Sequence, residues 1–109
     1  MAAFVKGDVV VPFPFSDLTN AKRRPALVLA ELAKNDFILC LITSQAINDS
    51  YTTLIETSDF ETGSLNKTSY AKSNRIFTAN EQLIAYKARK LTVEKTDEVI
   101  DKLIAILQQ

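Results

Sequence analysis

Residues 24–45 read Arg24-Pro25-Ala26-Leu27-Val28-Leu29-Ala30-Glu31-Leu32-Ala33-Lys34-Asn35-Asp36-Phe37-Ile38-Leu39-Cys40-Leu41-Ile42-Thr43-Ser44-Gln45. Two runs in it, Ala26 to Ala30 and Phe37 to Ile42, are apolar at every position, and Lys34-Asn35-Asp36 separates them with turn-forming residues. Runs of that length, apolar on both faces, suggest central strands of a closed or well-covered sheet. The spacing predicts an antiparallel hairpin turning at residue 34 or 35, with paired residue numbers adding to about 68. In that register Arg24 lies opposite Thr43 or Ser44.

Strand signals dominate outward from the hairpin. Val9, Val11, Phe13 and Phe15 alternate with Val10, Pro12 and Pro14. Two prolines on one lateral side of a strand cannot be fully paired, so the segment should leave the sheet or form an edge near Pro12. Ser16 to Asn20 reads as an exposed loop. Thr52 to Glu56 is a further strand, Ser69 to Ala71 and Arg75 to Thr78 are two more, and Ile84 to Leu91 is a last one. Asn80 suits the N-cap of a short helical turn through Gln82. The final segment is helical: Thr92 is an N-cap, Glu94 complements the dipole in the first turn, and Val99, Ile100, Leu103, Ile104 and Leu107 form a ridge read first as core packing. The pattern predicts a mainly β fold, a small, strongly curved β-barrel closed by a C-terminal α-helix, as one domain over residues 1–109.

Composition narrows the chemistry. The 109 residues include one cysteine, Cys40, inside an apolar run, so disulfide scaffolding is excluded and a buried, reduced thiol is expected. There is no histidine, which removes the commonest general base and metal ligand, so no metal or other cofactor is expected. With only Gly7 and Gly63, no glycine-rich phosphate loop exists. No run approaches the roughly 18 apolar residues of a membrane span, and the start lacks a signal-peptide pattern, so a cytoplasmic location is expected. The zero net charge conceals an asymmetry: residues 62–92 carry a net +5 and residues 93–109 a net −2. Such a basic middle permits a polyanion-binding face, and it is equally the pattern of a solvated surface.

Two clusters carry candidate chemistry. Lys22-Arg23-Arg24 precedes Pro25, which biases Arg24 toward an extended backbone at the root of a strand. Arginine presents a planar fork of donors matched to phosphate oxygens. Thr43-Ser44-Gln45 ends the second apolar run and can donate to a phosphate or a base edge; its hydroxyls can equally bond their own backbone in a turn. Across one hairpin, a guanidinium fixed beside a hydroxyl is suited to a phosphorane-like transition state.

Gly7-Asp8-Val9-Val10, Arg24-Pro25-Ala26-Leu27-Val28-Leu29 and Ile42-Thr43-Ser44-Gln45, in that order and spacing, resemble the PemK/MazF family of type II toxin–antitoxin toxins. Val11-Pro12-Phe13-Pro14-Phe15-Ser16-Asp17-Leu18 resembles its PemK-like branch. The resemblance implies an SH3-like barrel, a homodimer, a cognate antitoxin with an acidic, partly disordered tail, and a sequence-selective endoribonuclease (an mRNA interferase) needing no metal. The substrate would be single-stranded mRNA, its loss would inhibit translation and growth, and the products would be a 2′,3′-cyclic phosphate and a 5′-hydroxyl. It assigns Arg24 and Thr43 as catalytic, with Lys22, Arg23, Ser44, Gln45, Lys72, Asn74 and Arg75 as RNA-binding residues. Where some members carry an Arg-x-Asp pair for acid–base work, this chain has Lys72-Ser73-Asn74, and asparagine cannot accept a proton as a base. That departure keeps a second class open: a barrel that binds RNA or antitoxin without cleaving, or a gyrase-targeting toxin.

Overall fold

In a computed structural model, which describes residues 3–12, 24–63 and 68–109, the two apolar runs form the predicted hairpin of strands β2 (Ala26–Glu31) and β3 (Asp36–Thr43). Ala26 opposes Leu41, Leu27 opposes Cys40 and Val28 opposes Leu39; after an irregularity, Ala30 opposes Ile38 and Glu31 opposes Phe37. Lys34 and Asn35 both have positive φ, 61° and 63°, and the Asp36 amide donates to the Ala33 carbonyl. That is the handedness of a two-residue hairpin turn, whose twist matches the strands it joins.

The other strands are β1 (Asp8–Pro12), β4 (Thr52–Ile55), β5 (Phe60–Thr62), β6 (Ser69–Asn80) and β7 (Ile84–Leu91), followed by helix α1 (Val93–Leu107). All pair antiparallel in the order β4-β6-β3-β2-β1-β7-β5. Extents of 32 × 31 × 30 Å require a curled sheet rather than a flat one. Leu27, Leu29, Cys40 and Ile42 bury one face of the hairpin with Val9, Ile55, Ala71, Leu91 and Val99 of the helix. Ala26, Val28, Phe37 and Leu39 bury the other with Val10, Ala79 and Ile84. The runs are apolar throughout because both faces are covered.

β1 lies between β2 and β7, but its pairs with β2 are Val9 and Val10 alone, so near Pro12 the strand is paired only on the β7 side, where the ladder slips at Val11/Pro12, as the prolines suggested. Residues 13–20 of the predicted alternation and loop lie outside the described residues. Gly7, at φ 96°, joins β2 to β7: its amide donates to the Val28 carbonyl and its carbonyl accepts from Leu91.

Two expectations change. The strands predicted at 69–71 and 75–78 are one strand, β6, with a bulge: Cys40 opposes Ile76 but Ile42 opposes Ala71, so Lys72 to Arg75 contain extra residues. The helix ridge packs only in part. Thr92 caps α1 by accepting from the Lys95 amide, Val99 is buried, and Ile100 and Leu103 lie against the core. Ile104 and Leu107 are 45% and 75% exposed, because α1 rests chiefly on β6 and the short edge strand β4. Among the described residues no helix is long and apolar enough to cross a membrane.

Candidate functional site

The hairpin ladder extends toward its root. The Ile42 amide donates to the Pro25 carbonyl at 3.1 Å, one residue past the Ala26–Leu41 pair, and the next pair in that register is Arg24–Thr43. Alternation along each strand gives Arg24 the face of Ala26 and Thr43 the face of Leu39 and Leu41, so both project to the same side. Arg24 is exposed and makes no hydrogen bond or ion pair with the described residues. Thr43 is only 8% exposed, and its hydroxyl accepts from the Gln45 amide at 3.2 Å. This is the self-bonded turn foreseen for Thr43-Ser44-Gln45, yet the hydroxyl proton stays available to donate. Ser44 and Gln45 expose their side chains beside it. Lys22 and Arg23 lie outside the described residues.

The β6 bulge brings the remaining candidates alongside. Ala71 and Ser73 face the helix, which turns Tyr70 and Lys72 to the side of Thr43, and the alternation then breaks in the bulge at Asn74 and Arg75. Long-range bonds hold the bulge: the Cys40 thiol donates to the Lys72 carbonyl at 3.0 Å, the Ser73 amide to the Tyr51 carbonyl at 3.0 Å, and the buried Ser73 hydroxyl to the Val99 carbonyl at 2.9 Å. Asn74 and Arg75 are exposed and Lys72 is half-buried. Burial pushes the Cys40 thiol up to about 12, so it stays neutral and acts as a structural donor.

Two neighbours were not legible as site residues. Tyr70 is directly opposite Thr43 and half-buried; the alternation of Ser69 and Ala71 about it was the signal available. Asp49, in the loop after Thr43, has its carboxyl held below the usual carboxylate range. Thr52 beside it is the leading cause, and the Tyr51 amide at 2.9 Å and the charge of Lys72 add to it. Asp49-Ser50-Tyr51 reads in sequence only as a turn.

The basic middle of the chain is divided by the fold. Lys72 and Arg75 are on β6, while Lys87, Arg89 and Lys90 are on β7, with three strands between them in the sheet order. Lys90 and Lys87 stand 3.4 and 3.9 Å from the buried Asp8 carboxylate, so part of that charge is structural. Among the described residues, no three His, Cys, Asp or Glu side chains are grouped to hold a metal ion.

This architecture has counterparts among solved structures. An endoribonuclease from a mycobacterial species, in complex with its cognate antitoxin, superimposes with a TM-score of 0.76 at 16% identity, covering 97% of this chain and 96% of its own. MazF in a MazE–MazF crystal structure from Deinococcus radiodurans gives 0.78 at 19% identity, with 97% of each chain covered. The Mycobacterium tuberculosis toxin MazF-mt6 gives 0.69 at 13% identity, covering 91% and 96%. At such identities these likenesses establish the fold. None of the curated proteins matches the sequence significantly. The family model of the PemK-like, MazF-like toxins of type II toxin–antitoxin systems matches residues 6–107, nearly the whole chain, and the protein belongs to that family.

Proposed function

We propose that this toxin is an endoribonuclease that cleaves single-stranded mRNA sequence-selectively at the Arg24–Thr43 pair. The observation that supports the reading is the hairpin register, whose extension past Ala26–Leu41 pairs Arg24, without a partner among the described residues, with Thr43 on one face of the ladder. The Arg24 fork would bind two phosphate oxygens and stabilise the negative charge that grows on them, and Thr43 would donate to one of them. The RNA 2′-oxygen attacks the adjacent phosphorus as the 5′-oxygen leaves, giving a 2′,3′-cyclic phosphate and a 5′-hydroxyl. The proton lost by the 2′-hydroxyl and the one gained by the 5′-oxygen are exchanged with water, since Asn74 cannot act as a base. Ser44, Gln45, Lys72, Asn74 and Arg75, with Lys22 and Arg23, would hold the strand and read its bases. The chain would act as a homodimer and be neutralised by a cognate antitoxin, as the mycobacterial and Deinococcus neighbours occur in complexes with theirs.

The test is cleavage of RNA by purified protein with and without EDTA, beside Arg24→Ala. Cleavage should be insensitive to EDTA, leave 5′-hydroxyl ends, and fall roughly a hundredfold in the variant. Equal cleavage by both proteins contradicts the assignment. Asn74 supports a second reading, an RNA-binding barrel without catalysis; salt-dependent RNA binding with no cleavage would select it.

A further inference from the structure

Arg24 and Thr43 are the first two members of a longer row. Thr43 opposes Tyr70 on β6, and Tyr70 opposes Leu54 on β4, so Arg24, Thr43, Tyr70 and Leu54 lie side by side across four neighbouring strands. Their flanking residues fix the face they share. Ile42, Ala71 and Ile55 all point into the helix-side core, which sends Thr43, Tyr70 and Leu54 to the opposite side. The row therefore runs from a cation, through a hydroxyl, to an aromatic ring and an apolar side chain that is 42% exposed.

The second half of the row is poorly explained as core. Tyr70 is half-buried, its hydroxyl makes no hydrogen bond with the described residues, and Leu54 beside it remains open to solvent. Tyrosine held at a sheet surface, with its edge supported by cross-strand neighbours, leaves a ring available for stacking. It stands two interstrand spacings, roughly 10 Å, from Arg24. Lys72 follows it on the same face. An aromatic ring with cations on both sides matches a nucleotide, whose base is flat and apolar on its faces and whose phosphate is charged.

We propose that Tyr70 is a stacking platform for a nucleobase of the RNA whose phosphate is held by Arg24 and Thr43, with Leu54 as the apolar wall of that subsite. This rests on the endoribonuclease reading and adds to it a binding role separate from the chemical step. Stacking adds base-dependent affinity, whereas Arg24 holds the phosphate of any strand and also serves the bond-cleaving step.

The test separates the two. Binding of a 12-nucleotide oligoadenylate with 2′-O-methyl sugars is compared, at one fixed salt concentration, with that of an abasic strand of the same length. Wild type should prefer the adenylate, and Tyr70→Leu, which keeps apolar bulk without the ring, should lose roughly 5- to 150-fold of that preference. Tyr70→Phe should retain it, and binding of the abasic strand should be unchanged in both variants. Arg24→Ala should weaken both strands alike. An adenylate preference unaltered by Tyr70→Leu overturns the proposal whether or not the protein cleaves RNA. So does a Tyr70→Leu protein whose sedimentation shows a changed oligomeric state, which would make the row a contact between copies of the chain. Failure of the cleavage assay with the adenylate preference intact overturns the catalytic reading and leaves the stacking subsite standing.

Discussion

The two ends of the β2–β3 hairpin use polar side chains in opposite ways. At the turn end, Asn80 donates to the Lys34 carbonyl at 3.2 Å and to Asp36 Oδ1 at 3.0 Å, while its own oxygen accepts from the Gln82 amide at 3.1 Å. At the root end, Arg24 has no partner among the described residues, and Thr43 has a spare proton with Ser44 and Gln45 exposed beside it. Both ends are held by the same ladder over the same core. Polar groups whose bonds are complete serve the fold, whereas those left open on a rigid support are available to a ligand.

That contrast can be broken or sharpened by substitution. Phe37, fully buried near the turn and in edge-to-face contact with Phe4 at 5.6 Å, anchors the ladder itself. Phe37→Ala should cost roughly 3–5 kcal/mol by denaturant unfolding. Thr43→Ala should lower cleavage about tenfold, near 1.4 kcal/mol in transition-state terms, and Thr43→Ser should restore most of it. Asn80→Ala should reduce stability by about 1 kcal/mol, since a cap and two further bonds are lost, and leave the cleavage rate within about twofold. A reversed pattern for Thr43 and Asn80 would refute the division between the two ends. The smallest effect is a null one: Cys40, buried and with its thiol pushed up to about 12, should not react with a disulfide reagent at pH 8 until denaturant is added.

The root end was legible because the turn residues Lys34-Asn35-Asp36 between two apolar runs fix the hairpin register. The expected pairing total near 68 differs from the observed root register by one residue, absorbed at the Val28/Ala30 irregularity. The β6 bulge was not legible. Lys72-Ser73-Asn74-Arg75 looks like a turn in one dimension, and it is kept in the strand by partners remote in sequence: the Cys40 thiol and the Tyr51 and Val99 carbonyls. Tyr70 was missed for a related reason, since a lone tyrosine in a strand reads as core until the faces of its neighbours are known. Ile104 and Leu107 show the converse: an apolar ridge in sequence does not reveal how far the sheet extends beneath it.

The central claim is that the root end acts on RNA and the turn end does not. Its most direct measurement is the single-turnover cleavage rate of Arg24→Ala beside wild type, with thermal unfolding recorded on the same samples. A loss of roughly a hundredfold with an unfolding midpoint within about 2 °C of wild type is predicted, because Arg24 is exposed and has no partner among the described residues. Undiminished cleavage by the Arg24→Ala protein would contradict it.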